Sequence, residues 1–443
     1  MKYYVLGVVV FLTFLASCKK PDYEKIIHNP VLFSQAVHEL NSVVMGNNFS
    51  PVVASRNYAY ANVAAYEVIA AGYPNQYRSL CGQLNGFQSV AKPQPNEKID
   101  FEYAALLAFC RVGEAVTFPE GSMKYYIDSL HKLAADHGMP GDMITGSEDY
   151  AKRVGLSIMK WSKGDNYLKT RSASKYSVKN IPGRWVPTPP SYAAAVEPHW
   201  SEIRTMAMRD ANQFDVAPPP AFNVTDKQSK YYQEVASMID VSGKLTPEQI
   251  HIADFWDDNP GKLNVMGHVM FITKKFSPPG HWMSVTGIAA EQAKADFPGT
   301  VYAYAKTSIA LFDAFIECWA AKFKYATVRP ETVIDKYFNQ DWRPHLQTPP
   351  FPEYTCGHCT ISAAAAEVLT DVFGDNLAYK DTSELEFGIK SRTFKSFRQA
   401  ADETSWSRFY GGIHFRNSTI VSSGYGKTLG DSIVRKLHMR KKD

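Results

Sequence analysis

The segment EYTCGHCTISAAAAEVL, residues 353–369, holds the chain's one CxxC pair, Cys356 and Cys359, around Gly357 and His358. A thiol exchanger needs such a pair where a strand opens into a helix inside a βαβ pattern. The preceding LQTPPFPEYT is too rich in Pro and Thr to feed a strand into it. A zinc knuckle needs a second ligand pair at suitable spacing, and Cys318 stands alone.

Oxyanion chemistry suits the neighbouring residues better. Lys322 and Arg329 are seven residues apart, so two turns of a continuous helix would set them nearly on one face. In SRFYGGIH, Arg408 precedes His414 with Gly411 and Gly412 between, and a glycine turn can aim both side chains at one point. Three cations, the imidazoles of His358 and His414, and Gly357 at a helix start are what a tetrahedral oxyanion needs. Guanidinium forks bind its oxygens in pairs, and a helix N-terminus offers unused N–H groups at the positive end of its dipole.

The elements that must position these groups are helical by periodicity. Ser50-Pro51 predicts the start of a helix that Gly72 stops. Thr246 and Gln249 form a capping box with Pro247 in the first turn. The run TVYAYAKTSIALFDAFIECWAAKFKYATV predicts a long helix ending near Val328, ahead of Arg329-Pro330. After CGH, apolar residues from Ile361 to Val372 recur at helical spacing until Gly374. Alternating β-branched runs are scarce, so the expected fold class is all-α. Residues 163–225 break into a proline-rich connection whose Trp185, Tyr192 and Trp200 predict coil packed over a core.

With 443 residues, 45% of them hydrophobic, the chain can bury a large core. The net charge of +4 is spread out, with no basic stripe to recognise nucleic acid. The apolar run Tyr3–Ala16 is too short to span a bilayer and fits a signal peptide. Its ending, LASC, resembles the lipobox of bacterial lipoproteins, which implies lipidation of Cys18 and a cell-envelope location, periplasmic or at the cell surface; a cleaved signal with a coincidental Cys is the alternative. The only membrane contact expected is that anchor. Cys81, Cys110, Cys318, Cys356 and Cys359 are too widely spaced for a disulfide framework. The organisation expected is a signal peptide at 1–18, a tether and first helix at 19–44, an N-terminal helical region with the proline-rich connection at 45–225, and a C-terminal anion-binding region at 226–443.

KFKYATVRP, TCGH and SRFYGGIH resemble, in order, the three motifs of the superfamily that joins vanadium-dependent haloperoxidases to type 2 phosphatidic acid phosphatases. PGRWVPTPP, DFWDDNPGKL, SPPGHW and QAADETSWSRFYGGIHF resemble further segments of its bacterial haloperoxidase-like branch. The resemblance implies helical bundles with the anion at one end of the C-terminal one. It implies that Lys322, Arg329, Arg408 and the Gly357 N–H hold vanadate oxygens, and that Cys356 stands where the family has Ser. His414 would be the axial vanadate ligand, or the phosphorylated nucleophile of a phosphatase, and His358 the general acid/base. Trp319 and Phe351 would line the pocket. The Asp usual four residues after the last His is replaced by Ser418, so the group orienting His414 must come from elsewhere. His268 and His281 are further candidates, the latter for the pocket rim.

Three functions are implied. One is a vanadate enzyme oxidising halide, iodide being the easiest, with hydrogen peroxide. The second is an acid phosphatase cleaving phosphate monoesters, with phosphate as substrate or competitor, and the third is a non-catalytic oxyanion-binding lipoprotein. Cys356 and Cys359, three residues apart at a helix start, lie within disulfide range, so one expectation is a redox-sensitive site; two free thiols packed against the helix are the alternative.

Overall fold

The structure is a computed structural model describing residues 22–441. The expected signal peptide and the expected lipidation residue Cys18 lie outside the described residues. In chain order the helices are α1 (Tyr23–Ile27), α2 (Pro30–Gly46), α3 (Pro51–Gly72), α4 (Phe101–Val116), α5 (Lys124–Asp136), α6 (Gly141–Ser162), α7 (Tyr167–Arg171), α8 (Lys230–Ser242), α9 (Pro247–Phe255), α10 (Pro278–Gln292), α11 (Phe297–Tyr325), α12 (Pro330–Tyr337), α13 (Gly357–Phe373), α14 (Phe397–Tyr410) and α15 (Arg416–Lys436). Two short antiparallel hairpins interrupt them: β1 (Lys262–Met266) with β2 (Val269–Thr273), and β3 (Tyr379–Asp381) with β4 (Arg392–Phe394). The fold is all-α, and no helix among the described residues is long and apolar enough to cross a membrane.

The spine is α11, whose 29 residues extend about 43 Å at the usual helical rise. It packs against α3 on one side and α13 on the other, and α13 in turn packs on α14 and α15. Close approach of α13 and α15 depends on Gly426, where an added Cβ would lie 2.1 Å from the Thr360 carbonyl oxygen. One continuous apolar core runs through α2, α3, α4, α11, α13 and α15.

Local signals placed several helix ends, although the Ser50 hydroxyl makes no capping bond. The Thr246–Gln249 capping box forms, α3 begins at Pro51 and ends at Gly72, and Gly374 closes α13 with φ 94°. The end of α11 departs from expectation: it stops at Tyr325, and Ala326 turns left-handed with φ 46°. The cause is tertiary, because Trp185 N–H donates to the Ala326 carbonyl at 2.9 Å and Val328 N–H to that of Gly183 at 3.0 Å. Pairing with the proline-rich connection thus takes residues 326–328 out of the helix.

That connection is packed as expected at Trp185 and Trp200, which are fully buried, but Tyr192 is 63% exposed and does not join them. Its far end is pinned by Asp313 of α11. The Asp313 carboxylate accepts N–H bonds from Met206, Ala207 and Met208, each at 2.7 Å.

Candidate active site

Four segments meet at one end of the bundle of α11, α13, α14 and α15. The last turns of α11 bring Trp319 and Lys322, the link to α12 brings Arg329, the start of α13 brings Gly357 and His358, and the end of α14 with its glycine turn brings Arg408 and His414. Lys322 and Arg329 therefore converge through the break at Ala326 and not along one helical face. Gly412, at φ 76°, reverses the chain after α14 so that His414 returns beside Arg408.

All three cations are buried, at 0%, 0% and 1% exposure for Lys322, Arg329 and Arg408, and main-chain carbonyls hold them. Lys322 Nζ donates to the carbonyls of Pro352 at 2.8 Å, Glu353 at 3.2 Å and Thr355. Arg329 Nε donates to Phe351 O and Nη1 to Ile413 O, both at 2.8 Å. Arg408 Nη1 donates to Trp256 O at 2.5 Å and Asp257 O at 3.2 Å. This leaves Arg329 Nη2, Arg408 Nε and His358 Nε2 buried without a hydrogen-bond partner. Orphaned donors of this kind cost about 1–3 kcal/mol each, more when charged, unless something accepts from them.

Burial and the neighbouring cations set the protonation states. Burial pushes the Lys322 ammonium down to about 7 and the Arg329 guanidinium down to about 9. His414 is held well below the ordinary histidine range by burial, then by Arg329 and Lys322. His358 is lowered in the same direction by burial and Arg408. Both imidazoles are therefore neutral bases, and the Nε2 lone pair of His414 accepts from Arg329 Nη1 at 3.1 Å.

Each expected residue can now be placed. Phe351 lines a cavity of about 430 Å³ together with His358, Arg408 and Asp258. Trp319 lies behind that wall, 5.0 Å from the Phe351 ring, with Lys322 Nζ 5.6 Å above its own ring. Gly357 is the first residue of α13, where N–H groups have no intrahelical partner. Cys356 differs from expectation: its sulfur is bonded to Cys359 and has no proton to donate. His268 is exposed between β1 and β2, away from the cage. His281 is fully buried between Asp258 and Asp381 and is absent from the cavity wall.

Two acidic groups escaped sequence reasoning. Glu353 Oε1 stands 3.0 Å from His414 Nδ1 and accepts the Phe415 N–H at 3.2 Å. It is the orienting carboxylate whose place in sequence is taken by Ser418, which is buried beside it. Asp258 Oδ2 lies 3.9 Å from His358 Nε2. The only signals were one Glu in PPFPEYTCGH and the acidic pair in DFWDDNP.

The arrangement can bind a tetrahedral or trigonal-bipyramidal oxyanion with cationic donors, present one imidazole lone pair to its central atom and keep a second imidazole as proton carrier. A family model described as the VCPO second helical-bundle domain matches residues 302–341 and 338–442. No curated protein matches the chain. Among solved structures, the first bacterial vanadium-dependent iodoperoxidase is 41% identical with a TM-score of 0.88, over 94% of this chain and 98% of that one. The holo-type bacterial vanadium-dependent chloroperoxidase shares the fold at 17% identity and a TM-score of 0.67, over 88% of this chain and 93% of that one. Its apo-type structure does so at 17% and 0.64, over 87% and 94%. Identity of 41% across nearly the whole length of both chains means that this chain belongs to the vanadium-dependent haloperoxidase family.

Proposed function

We propose that this protein holds vanadate in the cage and oxidises halide, iodide first, with hydrogen peroxide. The observation that carries the reading is the set of buried donors without acceptors, Arg329 Nη2 and Arg408 Nε, around a neutral His414 whose far nitrogen is fixed by Glu353. An oxyanion satisfies the donors and neutralises the cations at once. Lys322, Arg329, Arg408 and the Gly357 N–H would hold its oxygens, and His414 Nε2 would meet vanadium. Bound there, vanadate supplies a Lewis-acid centre that activates peroxide for oxygen transfer to halide.

The chain's own residues do the rest. The Glu353 carboxylate takes the Nδ1–H of His414, so that Nε2 keeps its lone pair. His358, on the cavity wall, has its buried Nε2 unpartnered and would serve as the base for a peroxide proton, with Asp258 at 3.9 Å to stabilise the imidazolium that results. Phe351 and the adjoining Pro349 and Pro350 wall the cavity with apolar surface, which strengthens the electrostatics inside it. Hydrogen peroxide, iodide and one proton give hypoiodous acid and water; iodide loses two electrons and the peroxide bond accepts them.

One preparation assayed two ways tests this: vanadate, peroxide and iodide in one arm, a phosphate monoester in the other. Vanadate-dependent iodide oxidation is expected. Phosphate release without iodide oxidation would assign the same cage to phosphohistidine chemistry, and neither activity would leave an oxyanion-binding protein.

A further inference from the structure

Beyond the cavity wall, three distant segments bring together Asp258, His281 and Glu384, all buried, with one oxygen or nitrogen atom from each within 4.8 Å of the others. Asp258 follows α9, His281 lies in the first turns of α10, and Glu384 follows β3. His281 Nδ1 stands 2.8 Å from Asp258 Oδ1 and 3.8 Å from Glu384 Oε1. Its other nitrogen, Nε2, stands 3.0 Å from Asp381 Oδ2. The ring stacks on Trp256 at 4.5 Å, so its orientation is locked.

Glu384 is what this arrangement does not explain. It is 0% exposed, and neither carboxylate oxygen has a hydrogen-bond partner. Three carboxylates, those of Asp258, Asp381 and Glu384, face a single imidazole. Among these four side chains even an imidazolium leaves negative charge in excess, Lys275 and Arg408 acting on Glu384 and Asp258 only as more distant charges, and an uncompensated buried carboxylate is costly.

We propose that Asp258, His281 Nδ1 and Glu384 bind a divalent transition-metal cation of the Zn²⁺ type, with Asp381 orienting the imidazole from its opposite edge. Atoms that share such a cation at about 2.1 Å stand roughly 3–3.4 Å apart, depending on geometry. The observed 2.8 and 3.8 Å bracket that range. A carboxylate on the far nitrogen of a ligating histidine is the usual support for such a ligand. The cation would replace the Nδ1 proton, give Glu384 its missing partner and clamp the three segments. It would also draw charge from Asp258, whose second oxygen faces His358. The site differs from the cage in sign: it takes a cation where the cage takes an anion.

The test uses full-length protein stripped with a chelator, then titrated with Zn²⁺ by calorimetry and weighed for bound metal by mass spectrometry. One Zn²⁺ per chain and a raised unfolding temperature are expected, and Glu384→Gln should lose both. No retained Zn²⁺ with no shift in unfolding temperature would overturn the proposal. So would undiminished binding in Glu384→Gln, since surface histidines would then be the ligands. If that variant fails to fold, Co²⁺ added to the wild-type chain decides. Visible d–d bands of a four- or five-coordinate nitrogen and oxygen site support the assignment, and their absence overturns it.

Discussion

Glu353 Oε1 and His414 Nδ1 stand 3.0 Å apart, joining residues separated by 61 positions in the chain. The orienting carboxylate thus comes from outside the imidazole's own loop, on the segment ahead of α13 that also offers its carbonyls to Lys322. Burial pushes the Glu353 carboxyl up to about 7, while Arg329 and Lys322 pull it back toward the charged form. Removing the carboxylate should loosen both the tautomer and the ring. Glu353→Ala is expected to weaken orthovanadate binding by roughly 10–100-fold, the range for losing a ligand's supporting partner. Ser418→Ala should cost under about threefold on the same scale. Calorimetry checks both, and a larger loss in Ser418→Ala would transfer the orienting role to that hydroxyl.

Arg329 uses Nε and Nη1 on carbonyls while Nη2 remains for the anion, a division of labour that a point charge cannot copy. Arg329→Lys should lower kcat/KM by roughly 10²–10³, the loss typical of one electrostatic donor at a reacting centre. His414→Ala should abolish vanadate-dependent turnover. Steady-state iodide oxidation reads both, and full activity in His414→Ala would mean that the cage has been assigned to the wrong histidine.

The lowered Lys322 ammonium carries a pH signature. Its folded value, about 7, lies below the roughly 10.4 of an unfolded lysine. Folding therefore penalises the charged form. That penalty is fully present below pH 7 and is lost as pH rises from there toward the unfolded value. A bound oxyanion removes the penalty, so orthovanadate or phosphate should raise the unfolding temperature most below pH 7 and progressively less above it. Thermal scans from pH 6 to 9 check this. Equal stabilisation across the range would remove Lys322 from the binding groups.

Cys356 and Cys359 close a disulfide at the N-terminus of α13, directly flanking His358. Wide spacing excluded a framework of bridges, and this single local one is compatible with that. With its sulfur tied to Cys359, Cys356 cannot act as the donor that a Ser would be. Reductant should raise vanadate affinity, and Cys356→Ser should raise it further while removing the response to reductant. Thiol counting by mass spectrometry before and after peroxide tests the redox half. A Cys356→Ser variant that binds vanadate no better than the parent would reject the rest.

Much of the fold and cage was legible because its signals are short-range. Thr246 with Gln249 marks a helix start through bonds to residues a few positions away, and Pro51 and Gly374 mark ends through their own backbone angles, so residue type settles them. Lys322, Arg329, Arg408 and His414 were legible as a set, through the order of the three motifs that resemble those of the haloperoxidase family.

Their convergence was not legible in the same way. Lys322 and Arg329 meet because residues 183–185 pair with 326–328 and break α11 at Ala326, an outcome no periodicity in α11 encodes. Glu353 at His414, and His281 between Asp258 and Asp381, join parts of the chain that only packing brings together. The sequence by itself determined which groups exist and where such helices as α3, α9 and α13 begin or end. The tertiary structure alone decided which carboxylate faces which imidazole and which charged atoms are left without partners, because burial and contact depend on the whole packed chain.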